Sequence, residues 1–242
     1  GSTVSSRVIS RSMAEDFRRI VARDYTVITN GYDEADLSGP EPERDTKFSI
    51  AHIGTMVSTR NPETLWEALK QLLKELPELA DDLEIKLVGR VDHTVTASLE
   101  SYGLAGFVNR TEYLPHDRVT DCQRRSQVLL LLINNTPNAA MILTGKFFEY
   151  LAARRPVLCL GPVDGDAAQI LKETGAGLIS GFGDVALMKA HVSEFYRQYR
   201  DGTLGISSHG TEKYSRKELT RSLARVLDRI SGREDHSSGF SG

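Results

Sequence analysis

Three residues of this chain could do chemistry on an anionic ligand rich in hydroxyls: Glu149, Lys146 and Arg60. Glu149 lies in Thr144-Gly-Lys-Phe-Phe-Glu-Tyr-Leu-Ala-Ala153, a stretch of helical character. Its neighbours Phe147, Phe148, Tyr150 and Leu151 are apolar, and a carboxylate in such company is costly unless it has partners. A vicinal diol, such as a ribose, would supply two hydroxyl donors. The competing reading is a helix-surface glutamate favoured by the positive end of the helix. Lys146 follows Gly145 at the helix start, where backbone N–H groups and the dipole already favour phosphate. Arg60 lies between a glycine-ended strand and a helix. For both cations the competing reading is a solvated surface charge. Arg154-Arg155 reads as a solvated turn, or as a contact to the preceding helix's carbonyls.

Other chemistries lack their residues. The six histidines, His52, His93, His116, His191, His209 and His236, show no metal-ligand spacing, so no metal site is expected. His116-Asp117 reads as a helix-start pair and not as a catalytic dyad. There is no Gly-x-Ser-x-Gly elbow, and nothing marks a nucleophile. A Gly-x-Gly-x-x-Gly dinucleotide fingerprint and a Walker-type phosphate loop are also absent, which argues against a nicotinamide enzyme and an ATPase.

The elements that position these residues follow from apolar patterning. Val128 to Ile133 is an unbroken apolar run that stops at Asn134-Asn-Thr-Pro-Asn138. Val157 to Leu160 is a second such run, ending at Gly161-Pro162, with the helix Gly145 to Ala153 between them. Apolar runs without alternation fit strands buried on both faces of a parallel sheet. In such sheets ligands bind beyond the carboxyl ends of the strands. The same rhythm runs from Lys47 onward. Strands are expected at 48–53, 84–88, 107–113 and 177–179. Helices are expected at 62–76, 94–102, 115–125, 165–174, 186–199 and 215–230. The result is an α/β, doubly wound, Rossmann-like parallel sheet with helices on both faces. Gly54, Gly89 and Gly161 end strands, either to let backbone approach a ligand or simply to make tight turns. Before this body, residues 4–20 read as a helix with Met13, Phe17, Ile20 and Val21 on one side, and 25–29 as a short strand. Residues 34–46, acidic and bearing Pro40 and Pro42, read as an exposed linker. Residues 231–242 read as a disordered tail.

Composition sets outer limits. The chain has 242 residues, 40% hydrophobic and 26% charged, enough for a substantial core. A formal net charge of -3 implies no general attraction to nucleic acid. No apolar run approaches the roughly 18 residues of a membrane span. The two cysteines, Cys122 and Cys159, have no metal-like spacing, and Cys159 sits in an apolar run as a small core residue. Reduced thiols and a cytoplasmic setting are expected, with attachment to the inner membrane face through another segment or partner left open.

Taken in order, four stretches resemble the C-terminal, donor-binding half of a GT-B retaining glycosyltransferase of the group that builds bacterial surface polysaccharides. They are His52-Ile-Gly-Thr-Met56 with Arg60-Asn-Pro-Glu-Thr-Leu65; Ile85-Lys-Leu-Val-Gly-Arg90; Tyr113-Leu-Pro-His116 with Ser126-Gln-Val-Leu-Leu130; and Thr144 to Val157. The resemblance implies a nucleotide-diphosphate-sugar substrate, with UDP the first expectation, and no cofactor or metal. It implies that Glu149 holds the donor ribose and that Gly54, Thr55, Arg60, Thr144, Gly145 and Lys146 surround the diphosphate. Arg90, Tyr113 and Leu114 would border the base. Many members carry a further glutamate where this chain has Met141, so a catalytic residue is not assigned. Residues 4–33 resemble the end of the family's N-terminal domain, residues 34–46 the linker, and 47–230 the donor-binding domain with its last helix. Most of the N-terminal, acceptor-binding domain is therefore expected on other residues or another chain. This chain alone is expected to be inactive, with an exposed apolar patch on its last helix or a crystal or dimer contact that covers it. Two other readings stand: a UDP-N-acetylglucosamine 2-epimerase-like enzyme, and a non-catalytic Rossmann-like module that assembles with a partner chain.

Overall fold

A computed structural model describes residues 6–22, 25–34, 39–205 and 210–231. The chain opens with β1 (Ser6–Val8), α1 (Arg11–Ile20) and β2 (Tyr25–Val27). The body follows as β3 (Phe48–Ile53), α2 (Glu63–Glu75), α3 (Leu79–Asp82), β4 (Leu83–Val88), α4 (His93–Ser101), β5 (Val108–Thr111), α5 (His116–Arg125) and β6 (Val128–Leu132). It ends with α6 (Gly145–Ala152), β7 (Val157–Leu160), α7 (Asp166–Thr174), β8 (Gly177–Ser180), α8 (Val185–Arg200) and α9 (Arg216–Ser231).

The last six strands form one parallel sheet in the order β5-β4-β3-β6-β7-β8. The first strand of the body lies at the centre, and the chain reverses direction of travel between β3 and β6. That is the strand order of a dinucleotide-type doubly wound fold, with its switch point at the ends of β3 and β6. Continuous apolar sequence explains the centre: all of β3, β6 and β7 is buried. One face carries Phe48, Ile50, Leu130 and Leu158 under α2, α4 and α8. The other carries Ala51, Leu129, Leu131 and Cys159 under Phe147, Phe148, Leu151 and Leu171 of α6 and α7.

The expected α/β doubly wound sheet is what forms, and its strand and helix ends agree with the apolar patterning to within a few residues. The N-terminal unit differs. Residues 6–8 are a strand paired in parallel with β2, and helix begins only at Arg11. Ser10 caps that helix by accepting from the Met13 N–H at 3.2 Å, which ends the extended segment there. The apolar side expected on α1 is not a buried one: Phe17, Ile20 and Val21 are exposed and Ala14 is its buried residue. Arg155 is the second correction. It is 3% exposed, and donates through Nε to the Ser126 carbonyl at 2.7 Å and through Nη2 to the Gln127 carbonyl at 3.0 Å. It therefore buttresses the start of β6, while Arg154 alone takes the turn with φ 54°. Burial lowers the Arg155 pKa to about 10. Within the linker stretch, residues 35–38 lie outside the described set. Asp45 is anchored: its carboxylate accepts from Lys86 Nζ at 2.5 Å and Ser49 Oγ at 2.6 Å. The expected tail lies outside the described residues beyond 231.

The N-terminal unit is docked on the body. Tyr32 N–H donates to the Tyr214 carbonyl at 3.2 Å, and Arg216 N–H donates to the Tyr32 carbonyl at 2.9 Å. Arg11 pairs with Glu173 at 2.7 Å. On α9, Leu227 is 56% exposed, while Leu219 and Leu223 are half-buried toward the N-terminal unit, so the expected apolar patch is reduced to one exposed leucine among the described residues.

Candidate functional site

The switch point gathers glycine, lysine, arginine and histidine. Gly54 follows β3 with φ 137°, and Gly89 follows β4 with φ 113°. A Cβ on Gly89 would lie 2.7 Å from the Gly54 carbonyl oxygen, and one on Gly54 would strike the Lys146 side chain. Both glycines are thus needed by backbone conformation and by close approach. Gly161 differs: its φ is not positive, and a Cβ there would meet Ile133 Cδ1 at 2.8 Å, so it serves strand packing.

Helix α6 starts beside Gly54 because Thr144 caps it, its Oγ1 accepting from the Phe147 N–H at 3.3 Å. The first-turn N–H groups of a helix have no intrahelical acceptor and concentrate positive potential. Lys146, in that turn, is half-buried and donates its ammonium to the Ile53 carbonyl. Its nitrogen lies 5.8 Å from the ring centroid of Tyr150, whose fully buried hydroxyl accepts the Ile53 N–H at 3.1 Å. Burial holds the Lys146 pKa below the ordinary lysine range, Glu149 opposes that shift, and Arg60 adds to it. Lys146 therefore feels both residues. Arg60 closes a short 3-10 turn, Ser58–Arg60, and its Nε is buried without a partner among the described residues.

His52 was not singled out by sequence, because a histidine inside an apolar strand gives no signal of its own. It is 2% exposed, with Nδ1 at 3.1 Å from the Leu130 carbonyl. That carbonyl can only accept, so Nδ1 carries the proton. Nε2 is left as a buried acceptor without a hydrogen-bond partner among the described residues. Burial drives the His52 pKa down to about 4; the backbone at Leu130 and, less strongly, at Thr55 opposes the shift, and Lys146 and Arg60 reinforce it.

Glu149 is exposed, so the cost of a carboxylate among apolar residues does not arise. On a helix, Phe147, Phe148, Tyr150 and Leu151 turn inward and Glu149 turns outward. Gln123 Nε2 of α5, itself 3% exposed, lies 3.5 Å from Glu149 Oε2, at the long limit for a hydrogen bond. The carboxylate thus stands exposed on a rim between α5 and α6, coupled electrostatically to Lys146.

The remaining expected residues lie around this centre. Thr55, Thr144 and Gly145 are exposed at the same strand and helix ends. Arg90 is exposed after β4, Tyr113 is 79% exposed after β5, and Leu114 is half-buried against the α5–α6 core. Arg90 adjoins the loop that follows Gly54, its carbonyl accepting the Met56 N–H at 2.8 Å, while Tyr113 and Leu114 follow β5 at the edge of the sheet. Met141 is half-buried in the 3-10 turn Ala139–Met141. Among the described residues no group of histidine, cysteine and carboxylate side chains could hold a metal ion. No described helix is long and apolar enough to cross a membrane.

No protein-family model matches the sequence, and no curated protein matches it significantly. Solved structures do match the fold. Sucrose-phosphate synthase from Thermosynechococcus elongatus superposes with a TM-score of 0.64 at 16% identity, over 95% of this chain and 59% of that one. The pneumococcal O-GlcNAc transferase GtfA, solved with UDP and GlcNAc, gives 0.65 at 13% identity, over 94% and 45%. The lipopolysaccharide outer core galactosyltransferase WaaB gives 0.65 at 15% identity, over 94% and 62%. The chain thus spans less than two thirds of each of these neighbours. Its sheet and flanking helices have the architecture of a Rossmann-like half of the GT-B glycosyltransferase fold.

Proposed function

We propose that this chain is the donor-binding half of a glycosyltransferase, which takes a nucleoside-diphosphate sugar, UDP-linked, at the β3–β6 switch point. Residues 47–230 form the donor domain, residues 34–46 the linker, and residues 4–33 the end of the acceptor-binding domain. The observation that carries this reading is the convergence of Lys146 and Arg60 beside Gly54, at the start of α6. Two cations and a helix N-terminus at one strand end form a site for a diphosphate. Glu149, on the adjoining rim, would accept hydrogen bonds from the ribose hydroxyls. Arg90, Tyr113 and Leu114 lie along the rim where a base would extend.

In the assembled enzyme the bond between sugar C1 and the diphosphate oxygen breaks, and its electron pair stays on the diphosphate. A new bond forms between C1 and an acceptor hydroxyl, which loses its proton. The chain's contribution is to stabilise the negative charge on the leaving diphosphate, through Lys146, Arg60 and the Gly54–Thr55 and Thr144–Gly145 backbone. The acceptor is a growing polysaccharide or glycoconjugate, in the cytoplasm or at the inner membrane face. Residues of an acceptor-binding domain complete the active site, so this chain alone turns over no substrate.

Calorimetric titration of the chain with UDP and UDP-sugars tests the reading. Saturable binding at micromolar to millimolar concentration is expected, and no binding of any nucleotide to folded protein overturns it.

A further inference from the structure

The four buried side-chain polar atoms without a partner among the described residues fall into two pairs. His52 Nε2 and Arg60 Nε belong to the switch point. Thr29 Oγ1 and Asp166 Oδ2 belong to residues that line one cavity elsewhere, between the N-terminal unit, α7 and α9. From this second pair we infer a further binding site, for a neutral polyol the size of one sugar ring.

The cavity holds about 240 Å³. Asp166 is 3% exposed, and its Oδ1 accepts the Ser12 N–H at 3.2 Å. Its second oxygen has no donor among the described residues, which is costly for a buried carboxylate. A carboxylate only accepts, so the missing group brings an O–H or N–H. Charge selects between them. Arg11 and Lys213, which also line the cavity, both turn to Glu173, at 2.7 and 3.1 Å. Two cations thus stand against two carboxylates, Asp166 and Glu173, and the site has no net charge to attract an ion. Neutral hydroxyl donors fit. The walls suit the remainder of a sugar ring: buried Leu143, Ile170 and Tyr214 offer apolar surface to its C–H face, and Gln169 offers an amide.

A neighbouring cavity shares Ile28, Thr29 and Leu219 with this one and reaches Gly145, at the start of α6. The polyol site therefore adjoins the proposed donor cleft but is built by different residues. Its ligand is a free monosaccharide or one sugar unit of a longer glycan, and these present the same hydroxyls.

The test is saturation-transfer NMR on the 242-residue chain. Glucose, galactose, N-acetylglucosamine and their methyl glycosides are the probes, each with and without saturating UDP. At least one sugar is expected to bind in the millimolar range with UDP present. Binding of the free sugar but not its methyl glycoside marks a free monosaccharide as the ligand; equal binding marks a glycan unit. Asp166→Asn and, independently, Ser222→Trp, which fills the cavity from α9, should each weaken binding by roughly tenfold. Both should leave the circular dichroism spectrum and UDP titration unchanged. The inference is overturned if no sugar binds, if UDP displaces the sugar, or if folded Ser222→Trp protein binds as well as the parent. Sugar binding without UDP binding would leave this site standing and remove the donor reading.

Discussion

The ammonium of Lys146 donates to the main-chain carbonyl of Ile53, 93 residues away in sequence, and so ties the start of α6 to the end of the central strand. A lysine ammonium has three donors, and this bond uses one. The other two remain for an anion at the same strand end. Burial and the nearby Arg60 guanidinium make that charge uncomfortable, so an anionic ligand would relieve it.

Lys146→Met should therefore weaken UDP binding by roughly ten- to a hundredfold, the worth of one charge-assisted hydrogen bond. Titration calorimetry measures it, with circular dichroism confirming the fold. Unchanged affinity would place the diphosphate elsewhere.

Glu149 projects from the rim, and its contact with buried Gln123 is at the long limit for a hydrogen bond, so Glu149→Ala should leave thermal stability within about 1 kcal/mol. Its expected effect is on ribose recognition. The parent chain should prefer UDP to 2′-deoxy-UDP by roughly tenfold, and the variant should lose that preference. If the variant keeps it, Glu149 is a surface glutamate and no more.

His52 makes stability depend on pH. Its pKa falls from 6.5 to about 4 on folding, so between those values the unfolded chain binds more protons than the folded one. Stability therefore rises with pH across this window and is lost as pH falls from 6.5 toward 4, by about 3 kcal/mol in all. His52→Asn keeps a donor for the Leu130 carbonyl but does not titrate. Urea melts at the two ends of the window should show a smaller pH-dependent loss in the variant. An identical loss would assign the acid sensitivity to other groups.

Gly89→Ala should cost about 2–4 kcal/mol, because the new methyl meets the Gly54 carbonyl and the residue must hold φ 113°. A thermal melt reads this directly. UDP affinity should fall with it, since Gly54 is displaced toward Lys146. A melting temperature equal to the parent's would mean the two loops are not packed as described.

The elements were legible where burial on both faces forced long apolar runs, as at β3, β6 and β7. They were illegible where an element is too short for any period to register. Residues 6–8 make a strand only because residues 25–27 lie alongside, and the four-residue α3 exists only as the close of the α2–β4 connection. Trp66 of α2 is fully buried with Leu65 and Leu69, its indole N–H on Asn61 Oδ1 at 2.8 Å. Arg155 was misread for a different reason. Two adjacent arginines look equally solvated in sequence, and only the nearby start of β6 gives one of them carbonyls to bind.

The sequence by itself determined the alternation of buried strands and helices, and hence a parallel sheet with Gly54 at the carboxyl end of β3 and Lys146 and Glu149 on the helix α6. Those properties are local: apolar runs, caps and strand-ending glycines act over a few residues. Tertiary structure alone decided that Lys146 reaches Ile53, that Gly89 packs on Gly54, that His52 loses its charge beside Arg60, and that Asp166 faces the N-terminal unit. Each of these needs segments far apart in sequence to be brought together by strand order, and desolvation and close approach exist only once that order is formed.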